Sequence, residues 1–287
     1  MAQAHSFSSA DLDHITAAAV VAAEKAGAVI KKAFHLPKSV IHKGKVDLVT
    51  ETDKECEALI FGLLKEQYPD HKYIGEEDTA AQGSAPQLTS APTWMIDPID
   101  GTTNFVHRFP FVCVSIALVA NFQPVVAVVF NPIMEELFTA QRGQGAKLNG
   151  QPIRVSDCND LSSALTATEL GTARDSKTFA AVTHRLAVAA EATQSIRCLG
   201  SCALDMCCVA CGRLDAMYEV GFGGCWDCAA GALIVEEAGG QLLDPSGAPF
   251  ELMSRRVLAT NAHLGAAAAQ VLAACPEGPL EPGPPKK

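Results

Sequence analysis

From Trp94 to Ala140 the chain reads as four apolar segments: Trp94 to Ile96, Val112 to Ala120, Val125 to Phe130 and Leu137 to Ala140. They are rich in Val, Ile and Phe and are separated by Pro, Asn and Gly, the composition of strands between turns. The fold must therefore be built around a sheet. Asn149-Gly150 is a hairpin signal that leads toward a further strand at Ile153 to Val155.

Helices flank this block. Leu12, Ile15, Ala19, Ala22, Ala26, Val29 and Ile30 recur at helical spacing between Ser9 and Phe34, with Lys and Glu between them. A second helix starts at Thr52, which has the capping-box spacing to Glu55, and ends before Pro69. The stretch from Gly75 to Thr93 has no periodicity and reads as an exposed loop. After a strand at Ala164 to Thr168, helices (Ser176 to Glu191, Ser201 to Cys211, Trp226 to Ala238, His263 to Ala274) alternate with strands (Ser195 to Cys198, Ala216 to Glu219, Gln241 to Leu243, Val257 to Thr260). Such a pattern predicts an α/β sandwich of segregated layers. A chain of 287 residues can bury a core without disulfides or a structural metal. Residues 1–275 are expected to form a single domain, with 150–165 as the place where two subdomains would meet. Residues 276–287, rich in Pro and Gly, are expected to be a disordered tail.

Composition excludes some partners. With 32 acidic and 22 basic residues the net charge is -10, the wrong sign for general affinity to nucleic acid or anionic membranes. No stretch approaches the roughly 20 apolar residues of a bilayer span. The first residues lack the pattern of a secretory or organellar signal, so a soluble cytoplasmic protein is expected. Eleven cysteines are then reduced thiols, seven of them between Cys198 and Cys228. Two CxxC pairs, Cys208 to Cys211 and Cys225 to Cys228, are 13 residues apart and could form a zinc-binding module. The alternative is that they are small buried apolar side chains, because an apolar helix and a strand pattern occupy the region.

The chemistry concentrates in Asp97-Pro98-Ile99-Asp100-Gly101-Thr102-Thr103. Two carboxylates stand at the end of a short apolar strand where Pro98 stops the ladder and Gly101 permits a tight turn. Backbone N–H groups and hydroxyls follow immediately. Carboxylates beside anion donors make sense if a cation lies between them, and oxygen ligands without His point to a hard ion such as magnesium. Asp-Pro and Asp-Gly are also ordinary turn residues. Three further segments bear on the choice: Gly75-Glu76-Glu77-Asp78, which could equally be a solvated charge run; Trp226-Asp227, whose Asp could equally be a helix cap; and Val46 to Asp53, where a strand runs into a helix with Asp53 in its first turn.

Together these segments resemble the inositol monophosphatase family. The resemblance is carried by Trp94-Met-Ile-Asp-Pro-Ile-Asp-Gly-Thr-Thr-Asn-Phe105, by Trp226-Asp-Cys-Ala-Ala-Gly231 followed by Glu237-Ala-Gly-Gly240, and by the Glu76 and Asp47 to Asp53 segments in the same order. It implies an αβαβα sandwich of the inositol monophosphatase and fructose-1,6-bisphosphatase superfamily, a homodimer, two or three magnesium ions per site, and inhibition by lithium. Carried over motif by motif, Glu76, Asp97 and the Ile99 carbonyl hold one metal, and Asp97, Asp100 and Asp227 a second. Thr102 with Asp53 orients the attacking water, and the backbone of Gly101 and Thr102 holds the phosphate. Glu219 and Asp227 receive substrate hydroxyls; Thr172, Arg197, Ser201 and Cys202 match substrate-side positions; Lys43 matches a mobile-loop lysine. Between Glu219 and Asp227 this chain is one residue longer than the animal pattern. Phe222-Gly-Gly-Cys-Trp-Asp227 and His42-Lys-Gly-Lys-Val-Asp47 look most like the plant and green-algal branch, whose members act on myo-inositol 1-phosphate and L-galactose 1-phosphate. The related histidinol phosphatases, bisphosphate nucleotidases and fructose bisphosphatases are the alternatives within the superfamily.

Overall fold

The computed structural model describes residues 5–38, 40–42 and 48–285. Helix α1 (Ser9–Ala33) begins with a capping box between Ser8 and Asp11. A short antiparallel pair, β1 (Val40–His42) and β2 (Leu48–Thr50), leads to α2 (Glu51–Gln67). The α2 cap is Thr50, bonded to Asp53, two residues before the expected Thr52 and Glu55. Next come β3 (Lys72–Gly75), α3 (Glu76–Gln82), β4 (Thr93–Asp100) and α4 (Thr102–His107). A meander follows: β5 (Cys113–Ala120), β6 (Gln123–Asn131), β7 (Glu136–Gln141), β8 (Ala146–Leu148) and β9 (Gln151–Pro152). The remainder alternates as β10 (Leu165–Thr168), α5 (Ser176–Ala192), β11 (Ser195–Arg197), α6 (Cys202–Ala210), β12 (Ala216–Val220) and α7 (Cys225–Glu237), then β13 (Gln241–Leu243), β14 (Arg256–Thr260) and α8 (Gly265–Ala273).

Strands β3 to β9 form one seven-stranded sheet in sequence order, and a five-stranded sheet runs β11-β10-β12-β14-β13. Both faces of the larger sheet are apolar. On β5, Val114, Ile116 and Leu118 face α1 and α2, whereas Cys113, Ala117 and Val119 face α6 and α7. Ala167, Met217, Val257 and Ala259 of the smaller sheet close the other side of α6 and α7, and its far face, through Tyr218 and Leu258, packs on α5 and α8. The layers are thus helices, sheet, helices, sheet, helices. In the middle layer a Cβ at Gly231 would stand 2.7 Å from Met206, so only glycine lets α6 and α7 approach this closely.

Two further expectations change. Residues 76–82, expected to lie in a loop, form α3, because the carboxylate of Glu57 on α2 accepts the Glu77 and Asp78 amides at 2.9 and 2.8 Å. The segment after Cys275, expected to be disordered, is tied down through residue 282 by two buried arginines. Arg185 makes a two-pronged bond to Glu281 at 2.8 and 2.9 Å, and Arg256 donates to the Pro282 carbonyl at 2.8 Å. The zinc-module alternative fails: Cys208, Cys225 and Cys228 are buried core side chains, and the half-buried Cys211 packs against the same core. Among the described residues no cysteine joins a metal-compatible group. No helix among them is long and apolar enough to cross a membrane.

Candidate active site

Asp97 and Asp100 are three residues apart on β4, a separation that in a regular strand would put them on opposite faces. They face the same way because the strand bulges: Asp97 lies opposite Ser115 and Asp100 opposite Cys113, so three steps on β4 match two on β5. Pro98, with no N–H to leave unpaired, occupies the bulge, and Ile99 turns into the α1 and α2 core. Both carboxylates are left pointing at the start of α6 and α7. Ser115 Oγ donates to the Trp226 carbonyl at 3.0 Å and thereby docks the first turn of α7, with Asp227 in it, against Asp97.

Oxygens of Asp97, Asp100 and Asp227 lie within 4.8 Å of one another, and all three residues are buried. Each is fixed by donors. Asp97 Oδ1 accepts the Ile99 amide at 2.9 Å, Asp100 Oδ2 accepts Ser201 Oγ at 2.6 Å and the Ala203 amide at 2.7 Å, and Asp227 Oδ2 accepts the Gly224 amide at 2.8 Å. These bonds do not offset the cost of crowding. Burial first, and then the charges of Glu76, Asp100 and Asp227, push Asp97 well above the usual carboxylate range. Burial and the Asp227 charge push Asp100 up to about 7, and burial raises Asp227. A divalent cation with oxygen preference is the partner that such a cluster fits.

Asp53, buried in the first turn of α2, accepts the Thr50 amide at 2.8 Å on Oδ2 and Thr102 Oγ1 at 3.2 Å on Oδ1. Thr102 Oγ1 is also 3.2 Å from the Ile99 carbonyl, so its single proton is shared between two acceptors. Burial, against the opposing Thr50 bonds, raises Asp53 to about 6. Gly101 turns the chain with φ +93°, and a Cβ there would meet the Phe111 carbonyl at 2.9 Å and the Gly200 carbonyl at 3.0 Å. No other residue fits this corner between the carboxylates and α4.

Comparison with known proteins agrees with this geometry. A family model described as the inositol monophosphatase family matches residues 11–277. The chain belongs to the inositol monophosphatase family. Its class is that of the phosphoric monoester hydrolases. It is similar to inositol monophosphatase 2 of Solanum lycopersicum, 60% identical over 246 residues that cover 86% of this chain and 93% of that one. An inositol monophosphatase of Mesembryanthemum crystallinum is 58% identical, with 87% and 92% covered. Among solved structures, the extragenic suppressor protein suhB of Bartonella henselae superposes with a TM-score of 0.81 at 32% identity, covering 90% of this chain and 98% of that one.

The remaining residues expected from the family resemblance fall in different places. Glu219 on β12 is buried close to Asp227, Asp100 and Cys202, and its Oε2 has no protein hydrogen-bond partner among the described residues. The extra residue before Asp227 has not moved it away from the carboxylates. Ser201 is occupied: its hydroxyl binds Asp100 and caps α6 through the Leu204 amide at 3.3 Å. Cys202 is buried beside Glu219 and Asp100, and burial raises its thiol far above the ordinary value. Thr172 is exposed. Arg197 is exposed on edge strand β11 and bonds Ser195 Oγ at 2.8 Å. Lys43 and Asp47 lie outside the described residues.

Three supporting residues escaped the sequence reading, and a fourth, Asn104, stood in the quoted motif without a role. Glu57 caps α3 at the residue after Glu76. Asn104 Nδ2 links α4 to the Leu199 carbonyl at 2.7 Å, and Glu169 and Asp205 stand behind that turn. Two of them had a visible signal, an acid at a buried position of an apolar helix face: Glu57 between Cys56 and Ile60, and Asp205 within Cys202 to Ala210.

Proposed function

We propose that this chain is a magnesium-dependent phosphomonoesterase that hydrolyses myo-inositol monophosphate, L-galactose 1-phosphate or both by direct attack of water. The observation that carries the reading is the buried Asp97, Asp100 and Asp227 cluster, with Glu76 beside Asp97 and the Thr102 and Asp53 pair at its edge. Glu76, Asp97 and the Ile99 carbonyl would hold one ion, and Asp97, Asp100 and Asp227 another. Magnesium bound there would supply a more acidic water and stabilise the leaving alkoxide.

The chain's own groups do the rest. Thr102 Oγ1 orients water while donating to Asp53 Oδ1, and Asp53 is the base that takes up the proton. The amides of Gly101 and Thr102, at the start of α4, face the phosphate. Glu219 and Asp227 accept hydroxyls of the cyclitol or sugar, with Thr172, Arg197, Ser201 and Cys202 on the substrate side and Lys43 reaching in from its loop. The cysteines near the carboxylates have raised thiols and are poor nucleophiles, which favours water as the attacking group. The names of the plant relatives support the inositol substrate. The family resemblance supports lithium inhibition and a homodimer, and eleven unpaired cysteines favour a reducing, cytoplasmic setting.

The test is phosphate release with and without magnesium and lithium, across myo-inositol 1-phosphate, L-galactose 1-phosphate, histidinol phosphate, fructose 1,6-bisphosphate and adenosine 3′,5′-bisphosphate. Magnesium-independent turnover, or preference for one of the last three, would overturn the proposal.

A further inference from the structure

Asp205 is the only acidic residue of α6, a helix buried along its whole length. It is 0% exposed, and neither of its oxygens has a hydrogen-bond donor among the described residues. The group it meets is another acceptor, the carboxyl of Glu169 just past β10. Oε1 of Glu169 takes both the Leu199 and the Gly200 amide, each at 2.7 Å. Two ionised carboxylates can only accept, so their contact becomes a bond when one proton lies between them.

The turn that Glu169 holds touches the active site at successive residues. The Leu199 carbonyl accepts Asn104 of α4, the Gly200 carbonyl backs the corner at Gly101, and Ser201 binds Asp100. We propose that Asp205 is kept as the neutral acid and donates to Glu169, and that this proton-sharing pair is a positioning element for the 199–201 turn, and through it for Asp100 and the Gly101 corner. The proposal deepens the phosphatase reading and rests on it.

The surroundings favour a retained proton. Burial comes first, followed by the charges of Glu169, of Glu219 on β12 and of Asp100 on β4, and all raise the Asp205 carboxyl. The thiols of Cys198 and Cys208, which also feel Asp205, are themselves raised and remain neutral. A carboxyl raised on folding contributes stability that is present below its unfolded value and lost as pH rises through its folded one.

Two variants separate the alternatives. Asp205→Asn keeps a donor for Glu169; Asp205→Val removes it at similar size. The Asn variant should keep kcat within about twofold of the parent, and its melting temperature should gain on the parent's as pH rises from 4 to 8. The Val variant, folded by circular dichroism, should lose about tenfold or more in kcat, the scale of a displaced ligand, and need more magnesium for half-maximal rate. An Asn variant as impaired as Val, a Val variant as active as the parent, or parallel melting curves for parent and Asn against pH would each overturn the proposal. Absence of phosphate release by the parent enzyme would instead overturn the phosphatase reading, and the melting curves would still decide whether the proton is shared.

Discussion

The Thr102 hydroxyl donates to Oδ1 of Asp53 across 3.2 Å, joining the first turn of α4 to the first turn of α2. Nearly fifty residues separate the two in sequence, and the bond exists because Thr50, as the α2 cap, holds the other Asp53 oxygen. Asp53 is raised to about 6, mainly by burial, so below that pH it carries a proton and cannot accept one. The rate should therefore fall on the acid side of about pH 6. Asp53→Asn should lower kcat by about 10²- to 10⁴-fold and remove that limb. A variant with unchanged kcat and the same acid limb would exclude Asp53 as the base.

Removing the metal should be felt as instability. Three raised carboxylates contribute stability while protonated and lose it as pH rises through their folded values, so metal-free protein should melt at lower temperature at pH 8 than at pH 5. Magnesium should restore the loss by binding only the folded state. Asp97→Asn should abolish turnover, raise the melting temperature of the metal-free protein at pH 8, and shrink the shift that magnesium causes. Equal magnesium shifts in parent and variant would show that Asp97 is not a shared ligand.

Glu57 illustrates control from outside the motif. Burial raises it to about 7 from an ordinary value of 4.5, against the Glu77 and Asp78 amides that favour its charge. Its stabilising contribution is thus complete below about pH 4.5 and lost toward pH 7. Glu57→Gln should flatten the pH dependence of unfolding across that window. Glu57→Ala should cost about 1 kcal/mol, as a lost helix cap does, and raise the magnesium needed for half-maximal rate because Glu76 begins α3. Unchanged magnesium dependence in the Ala variant would separate α3 from the site.

These residues show what a one-dimensional reading can reach. Strands β4 to β6 were legible because branched residues alternate onto two apolar faces, and Asp97, Asp100 and Asp227 because carboxylates stood beside Gly and small residues. The bulge that turns Asp97 and Asp100 the same way was not legible, since it depends on how β4 pairs with Cys113 and Ser115. Helix α3 has no apolar period, and its cap comes from Glu57, twenty positions earlier. Glu169 and Asp205 belong to no motif and meet only when β10 and α6 pack.

The segment after Cys275 was misread for the same reason: its composition is that of a disordered tail, and the contacts that order it are made by distant arginines. Arg185 and Glu281 have side chains only 6% and 3% exposed, so the pair is effectively a core interaction. Burial alone would raise Glu281, but the Arg185 bonds, the Gly278 amide and the charges of Arg185 and Arg256 together outweigh it and hold the carboxyl below its ordinary range. The stability this contributes is present above the unfolded carboxyl value and lost as pH falls through the folded one. Glu281→Ala should cost about 3 to 5 kcal/mol at neutral pH by leaving a buried guanidinium unpaired, and less in acid. Replacing both residues, Arg185→Met with Glu281→Leu, should recover most of that loss. The strap also reaches the site: Pro282 packs beside Gly221, at the start of the loop from Glu219 to Asp227. Glu281→Ala should therefore raise KM more than it lowers kcat. Urea unfolding and steady-state kinetics on the two variants check both parts, and a single variant within about 0.5 kcal/mol of the parent would return the tail to the disordered class.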